Sequence, residues 1–194
     1  TAKRLGAVVY AVDIRKEARE HAKSLGAKIV ETEVPEEIAV GEGGYARHLP
    51  EKWLEKEREA IKEVVVKSDV VIATSLVPGK LAPVLITEDM VKQMNPGSAI
   101  VDVAIDQGGN CELTKGGEIR ECYGVSIDGT KNIPGMMPTS STWMFAHNVH
   151  NFLSSFIKEG KVIIDTKDVI TASSLVTRDG ELVHTGAREA MGIN

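Results

Sequence analysis

The sequence predicts an α/β fold built on a doubly wound parallel sheet, and three observations carry that reading. Apolar, largely β-branched runs at 69–75 (Asp-Val-Val-Ile-Ala-Thr-Ser) and 99–105 (Ala-Ile-Val-Asp-Val-Ala-Ile) read as strands covered on both faces, as in parallel sheets. Each run stops abruptly in turn-forming residues, Leu76-Val77-Pro78-Gly79 in one case and Asp106-Gln107-Gly108-Gly109-Asn110 in the other. Helical patterns alternate with the strands at the spacing of crossover connections.

Taken in order, Thr1 to Gly6 reads as the end of a helix closed by Gly6. Val8 to Asp13 is a strand ending on an acid, and Arg15 to Leu25 is a short amphipathic helix stopped at Gly26. Lys28 to Glu31 is a second strand. The rhythm then breaks over Glu33 to Pro50, where Gly41, Gly43 and Gly44 precede Tyr45. This is a loop, either simply solvated or closing over a ligand with Tyr45 at its tip. Leu49 to Lys67 returns to helical period, with Trp53, Leu54, Ala60, Ile61, Val64 and Val65 as its apolar stripe. Thr87 opens a short helix that runs through Met94 and is closed by Asn95-Pro96-Gly97. Two short strand-like runs flank Gly124 within Ile119 to Ile127. Hydroxyls at Thr139 to Thr142 lead into a long helix, Trp143 to Ile157, with Phe145, Val149, Phe152, Leu153 and Phe156 on its apolar face. Thr177 to Glu181 reads as the turn of a hairpin between Leu175-Val176 and Leu182-Val183. The domain reading is a partial nucleotide-binding domain over 1–138, followed by a helix and tail over 139–194.

Bulk properties exclude several functions. A net charge of −5 with no basic stripe argues against nucleic acid as a partner. No apolar run approaches the ~20 residues of a membrane-spanning helix, and Thr1 to Gly6 lacks the shape of a signal peptide. Cys111 and Cys122 read as two ordinary thiols of a cytoplasmic protein. His147 and His150 lie three apart on a helix without a third ligand nearby, so no metal site is expected.

The carboxyl ends of the strands are where open α/β sheets take ligands. Asp13 stands at such an end, where a carboxylate accepts the hydroxyls of a ribose, although an acid there also suits the N-cap of the next helix. No G-x-G-x-x-G precedes Asp13. The fold is therefore expected to be Rossmann-like but without its first strand and glycine loop, as in the C-terminal piece of a longer polypeptide.

Several motifs in order carry a resemblance: Arg4-Leu-Gly-Ala7, Asp13-Ile-Arg15, Gly43-Gly-Tyr-Ala46, Leu76-Val-Pro-Gly79 with Ala82-Pro83, Pro96-Gly-Ser98 with Val101-Asp102, Gly108-Gly-Asn-Cys111, and the tail Leu175 to His184. Over nearly its whole length the chain resembles the alanine dehydrogenase/transhydrogenase family, and within it the NAD(H)-binding component of proton-translocating transhydrogenase. The long Gly43-Gly44-Tyr45 loop and the tail favour transhydrogenase. Ala104 to Gly109 reads more like alanine dehydrogenase, in which the acid matching Asp106 belongs to the catalytic site.

The resemblance implies direct hydride transfer between NAD(H) on this chain and NADP(H) on a partner subunit, with the reacting carbons held at ~3–3.5 Å. It implies that Asp13 binds the adenosine ribose, that Arg15 flanks the adenine side, and that Gly44 and Tyr45 close the cleft. Leu76, Val77, Pro78 and Gly79 would line the nicotinamide end, with Asp106, Gln107 and Gly108 edging the same crevice; Asp106 and Gln107 are the catalytic candidates. It further implies a membrane-embedded proton-channel subunit, an NADP(H)-binding subunit, a homodimer, and a cytoplasmic location peripheral to the membrane. With the pyrophosphate cradle lacking, these residues alone are expected to bind NAD(H) poorly. The alternatives are an NAD-dependent alanine dehydrogenase and a non-catalytic scaffold on the same fold.

Overall fold

The computed structural model describes residues 1–41, 46–77 and 79–193. It divides into two compact units, residues 1–133 and 134–194.

In the first unit a 3-10 turn, Ala2–Leu5, is closed by Gly6 in the left-handed conformation. Strand β1 (Tyr10–Ala11) follows, then helix α1 (Lys16–Ser24) and strand β2 (Lys28–Ile29). β1 and β2 pair in parallel with Tyr10 opposite Lys28. The loop expected over 33–50 contains a one-turn helix, α2 (Glu36–Ala39), and a bridge between Val40 and Ala46. Helix α3 (Glu51–Lys67) buries Leu54, Glu57, Ile61 and Val65 along one stripe. Strand β3 (Val70–Ala73), helix α4 (Glu88–Gln93) and strand β4 (Ala99–Asp102) form the next crossover. The Thr87 hydroxyl caps α4 by accepting the Met90 N–H. Strands β5 (Ile119–Cys122) and β6 (Val125–Asp128) make a hairpin. Tyr123 and Gly124 turn it with left-handed φ of 56° and 78°, the backbone of the tight turns that match strand twist.

The four-stranded sheet has the order β3-β4-β6-β5, parallel through β3, β4 and β6, with β5 antiparallel at the edge. Its core sits between the sheet and helices α3 and α4, where Ile61, Val65, Met90, Val91, Ile100, Val125 and Ile127 are buried. The α/β character and parallel crossovers agree with the sequence reading. Three details differ.

The strand expected over 99–105 ends at Asp102, and Val103–Gln107 form a 3-10 turn. The buried Asp102 carboxylate accepts the N–H groups of Asn110 and Cys111 and so draws the chain back across the strand end. In the strand expected over 69–75 to be covered on both faces, Val70 and Ile72 are 60% and 65% exposed. Among the described residues β3 pairs with β4 alone and β1 with β2 alone. The strand expected over 8–13 is ladder-paired only at Tyr10–Ala11, because β2 is equally short.

The second unit begins within helix α5 (Ile133–Met136) and contains the long helix α6 (Pro138–Phe156). α6 starts earlier than the hydroxyl cluster suggested, because Pro138 takes the first-turn position where a missing N–H costs nothing; Thr139 to Thr142 lie inside the helix. A hairpin of β7 (Ile157–Lys158) and β8 (Lys161–Val162) follows, then α7 (Val169–Ser174). The expected hairpin of the tail is present but tighter, pairing β9 (Thr177–Arg178) with β10 (Glu181–Leu182) across Asp179-Gly180. Helix α8 (Thr185–Ala190) ends the unit.

Candidate functional site

One cleft of about 610 Å³ opens in the first unit, at the carboxyl ends of β1 and β3. Four segments wall it: the turn after β1, the segment leading into α3 with the buried stripe of α3, the end of β3 with its following loop, and the turn after β4.

The turn after β1 carries the first pair of charges. Asp13 accepts the backbone N–H of Arg15 at 2.8 Å and two guanidinium bonds from it, at 3.1 and 2.9 Å. The hydrogen bond to Asp13, reinforced by the charge of that carboxylate, raises the Arg15 pKa. Arg19 reaches back from α1 and donates to the carbonyls of Asp13 and Ile14, both at 2.9 Å. Asp13 therefore does not cap α1; the residue at the cap is Arg15. A carboxylate oriented by its own turn and paired with a guanidinium is an acceptor presented to the cleft.

The floor depends on Asn110, which is fully buried. Its Oδ1 accepts the Ser75 N–H at 2.8 Å, and its Nδ2 donates to the carbonyls of Ser75 and Pro83 at 2.9 and 2.8 Å. One amide thus fixes the loop after β3 to the turn after β4. Asn110 is itself held by Asp102 through its N–H. Gly109 between them has φ +88°, and a Cβ there would stand 2.7 Å from the Asp102 Oδ2. Ala82 N–H donates to the Gln107 carbonyl at 2.8 Å and completes the tie.

Of the residues the sequence singled out, the structure brings Asp13, Arg15, Leu76, Val77, Gly79 and Gln107 to the wall of this cleft. Asp106 and Gly108 are not among its lining residues; the Asp106 carboxylate instead accepts the Asn132 N–H at 3.0 Å. Gly44, Tyr45 and Pro78 lie outside the described residues. On α6, His147 Nδ1 bonds the Trp143 carbonyl at 2.8 Å; among the described residues no group of three ligating side chains occurs. Both cysteines are free, and burial pushes the Cys111 thiol up, away from reactivity.

Two wall residues were missed by the sequence reading. Asn110 was noticed only as part of a turn. Glu57 passed as one more charge of α3, yet it is 5% exposed. Its signal was available: it occupies the apolar stripe, three residues from Leu54 and four from Ile61. Burial above all, then the charge of Asp13, pushes its carboxyl up to about 7 against the opposing pull of Arg58.

Parallel strands with helical crossovers and a cleft at the strand ends define a Rossmann-like α/β domain. Residues 1–185 match the family described as alanine dehydrogenase/PNT, C-terminal domain, and the chain belongs to that family. It is 43% identical over 188 residues to an NAD(P) transhydrogenase alpha subunit of Rhodospirillum rubrum, covering 95% of this chain and 49% of that one. It is 38% identical over 142 residues to the alanine dehydrogenase of Halomonas elongata, covering 70% of this chain and 38% of that one. Among solved structures, the transhydrogenase from Sinorhizobium meliloti superposes with a TM-score of 0.71 at 34% identity, covering 94% of this chain and 47% of that one. The chain thus spans about half the length of these transhydrogenase relatives. Among the described residues no helix is long and apolar enough to cross a membrane.

Proposed function

We propose that this chain binds NAD(H) in the cleft and presents its nicotinamide for direct hydride transfer to or from NADP(H) on a partner subunit, coupled elsewhere to proton translocation. The observation that carries the reading is the gathering of Asp13, Arg15, Leu76, Val77, Gly79 and Gln107 in one cleft at the strand ends. The identity to a transhydrogenase alpha subunit over 95% of the chain supports the same reading.

The residues present fit a nicotinamide dinucleotide. Asp13 is an acceptor with room left on Oδ2 for a ribose hydroxyl, and its charge disfavours a 2′-phosphate. Leu76, Val77 and Gly79 offer an apolar surface at which a planar ring is held and water is kept out. The dinucleotide, when bound, supplies the hydride chemistry; the protein's task is to fix its position. Asn110 serves that task by locking the loop after β3 to the turn after β4. Gly44 and Tyr45 belong to the loop assigned to close the cleft, and Pro78 to the nicotinamide end. Gln107 lines the same site, with Asp106 and Gly108 on either side of it in the chain, and Asp106 and Gln107 are the catalytic candidates. The partners in this reading are a membrane-embedded proton-channel subunit and an NADP(H)-binding subunit, with this chain in a cytoplasmic homodimer peripheral to the membrane.

Asp106 favours a second reading, an NAD-dependent alanine dehydrogenase with Asp106 in the catalytic site; the 38% identity to the Halomonas elongata enzyme supports it. One pair of assays separates the two. The full-length protein is mixed with an NADP(H)-binding transhydrogenase subunit and assayed for hydride transfer from NADH, and separately with L-alanine and NAD. Transfer between nucleotides without alanine turnover is the expected result. NADH formation dependent on alanine would overturn the transhydrogenase reading in favour of the second.

A further inference from the structure

Glu57 is a carboxyl placed where the packing of α3 calls for an apolar side chain. Leu54, Ile61 and Val65, its neighbours on the stripe, are buried core residues. It lines the cleft together with Asp13, and only 5% of the residue is exposed. A carboxyl taken out of water in this way costs stability. A conflict of this kind between local pattern and side chain marks a functional position more often than a packing accident.

The geometry points to Glu57 as a second carboxyl at the ribose end of the cleft, accepting hydroxyls of an unphosphorylated ribose beside Asp13 and repelling a ribose that carries a 2′-phosphate. This assignment rests on the nucleotide reading of the cleft. The charged groups around Glu57 are few. The turn after β1 contributes Asp13, already paired with Arg15 at 2.9 Å. The segment before α3 contributes Arg47. On α3 itself, Arg58 is engaged by Glu51 and by the Val84 carbonyl. The described residues of the β3 end and its loop that line the cleft are neutral, among them Thr74 and Ser75. Arg15 and Arg58 thus hold other acceptors; burial first and the charge of Asp13 second favour the protonated form of Glu57, against the opposing pull of Arg58.

A ribose hydroxyl donating to Glu57 stabilises the ionised form, so NADH binding draws the proton off. NADH should therefore bind more tightly as pH rises from 6 to 8.5, while NADPH meets a growing negative charge. The discrimination Kd(NADPH)/Kd(NADH) should rise by about 10-fold more in the wild type than in Glu57→Gln across that range. The ionisation of the 2′-phosphate, near pH ~6, contributes equally to both proteins and cancels in the comparison.

The test is titration of the full-length protein with NADH and with NADPH at pH 6, 7 and 8.5, for wild type, Glu57→Gln and Glu59→Gln, the last on the exposed face of α3. The expected result is a flattened pH profile in Glu57→Gln and an unchanged one in Glu59→Gln. A Glu57→Gln protein that keeps the wild-type profile would overturn the proposal. The wild type alone gives a second readout, independent of whether the variant folds. NADH titrations at pH 7 in buffers of different ionisation enthalpy should report net proton release, and its absence would also overturn the proposal. A wild-type protein that binds NADH with neither effect leaves the nucleotide reading standing and removes Glu57 from it; one that binds neither nucleotide overturns the reading beneath.

Discussion

Asn110 and Asp102 hold the cleft open from inside the protein, and Gly109 lets them meet. The Asp102 carboxylate has traded water for the N–H groups of Asn110 and Cys111, so it sits buried at low cost. An Ala at 109 would require a left-handed backbone and push its Cβ into the Asp102 Oδ2. Gly109→Ala should cost about 2–4 kcal/mol of folding stability in urea denaturation; a loss under ~0.5 kcal/mol, the range of neutral surface changes, would contradict the geometry. Glu57 makes the opposite kind of contribution. Its carboxyl is pushed from 4.5 up to about 7, so the folded protein holds that proton to a higher pH than the unfolded chain. The stability associated with it is complete below the unfolded value and is lost as pH rises through about 7, amounting to roughly 3 kcal/mol at alkaline pH. Glu57→Gln should therefore be more stable than the wild type at pH 8.5 and close to it at pH 5. An equal difference at both pH values would refute the burial argument. Of these residues, Asp13 was legible in the sequence because a strand-end acid announces itself. Glu57 was not singled out, since charges on a helix are read as its solvated face until the stripe is counted position by position.

The elements were legible in kind and less so in extent. A β-branched run identifies a strand but not how many neighbours it has. Val70 to Ala73 accordingly read as covered on both faces, whereas β3 lies at an edge with Val70 and Ile72 open. The run from Ala99 to Ile105 looked continuous because nothing local reveals that Asp102 will turn inward to bind N–H groups eight and nine residues further on. Where the signal is local, the reading was good. Thr87 caps α4 as its position suggested, and Thr87→Ala should lower stability by about 1 kcal/mol, measured as a shift in the urea midpoint without a change in slope. No measurable shift would mean that the Thr87 bond adds nothing to the helix. The two-residue turn at Tyr123-Gly124 was likewise marked by its glycine. α6 is the reverse case. Its apolar periodicity is clear, yet none of its residues is buried within the second unit, where Phe152 and Phe156 meet edge to face at 4.7 Å beside an apolar groove of about 300 Å³.

For the chain taken entire, the parallel sheet, the crossovers and the cleft agree with membership of the alanine dehydrogenase/PNT family, which residues 1–185 match. The order and spacing of short motifs made the family legible, while the site was legible only in part. Residues on the strand ends came together in the cleft; from the turn after β4, Gln107 lines its wall while Asp106 and Gly108 do not, the Asp106 carboxylate accepting the Asn132 N–H instead. The proposed function stands or falls on the cleft taking NAD(H) with Asp13 at the ribose. A calorimetric titration of the full-length protein with NADH, wild type against Asp13→Ala, decides it. Saturable binding by the wild type, weakened ~10–100-fold in the variant as for a hydrogen bond to a charged group, is the expected outcome. Equal affinity in the two proteins, or no binding by the wild type, would refute it.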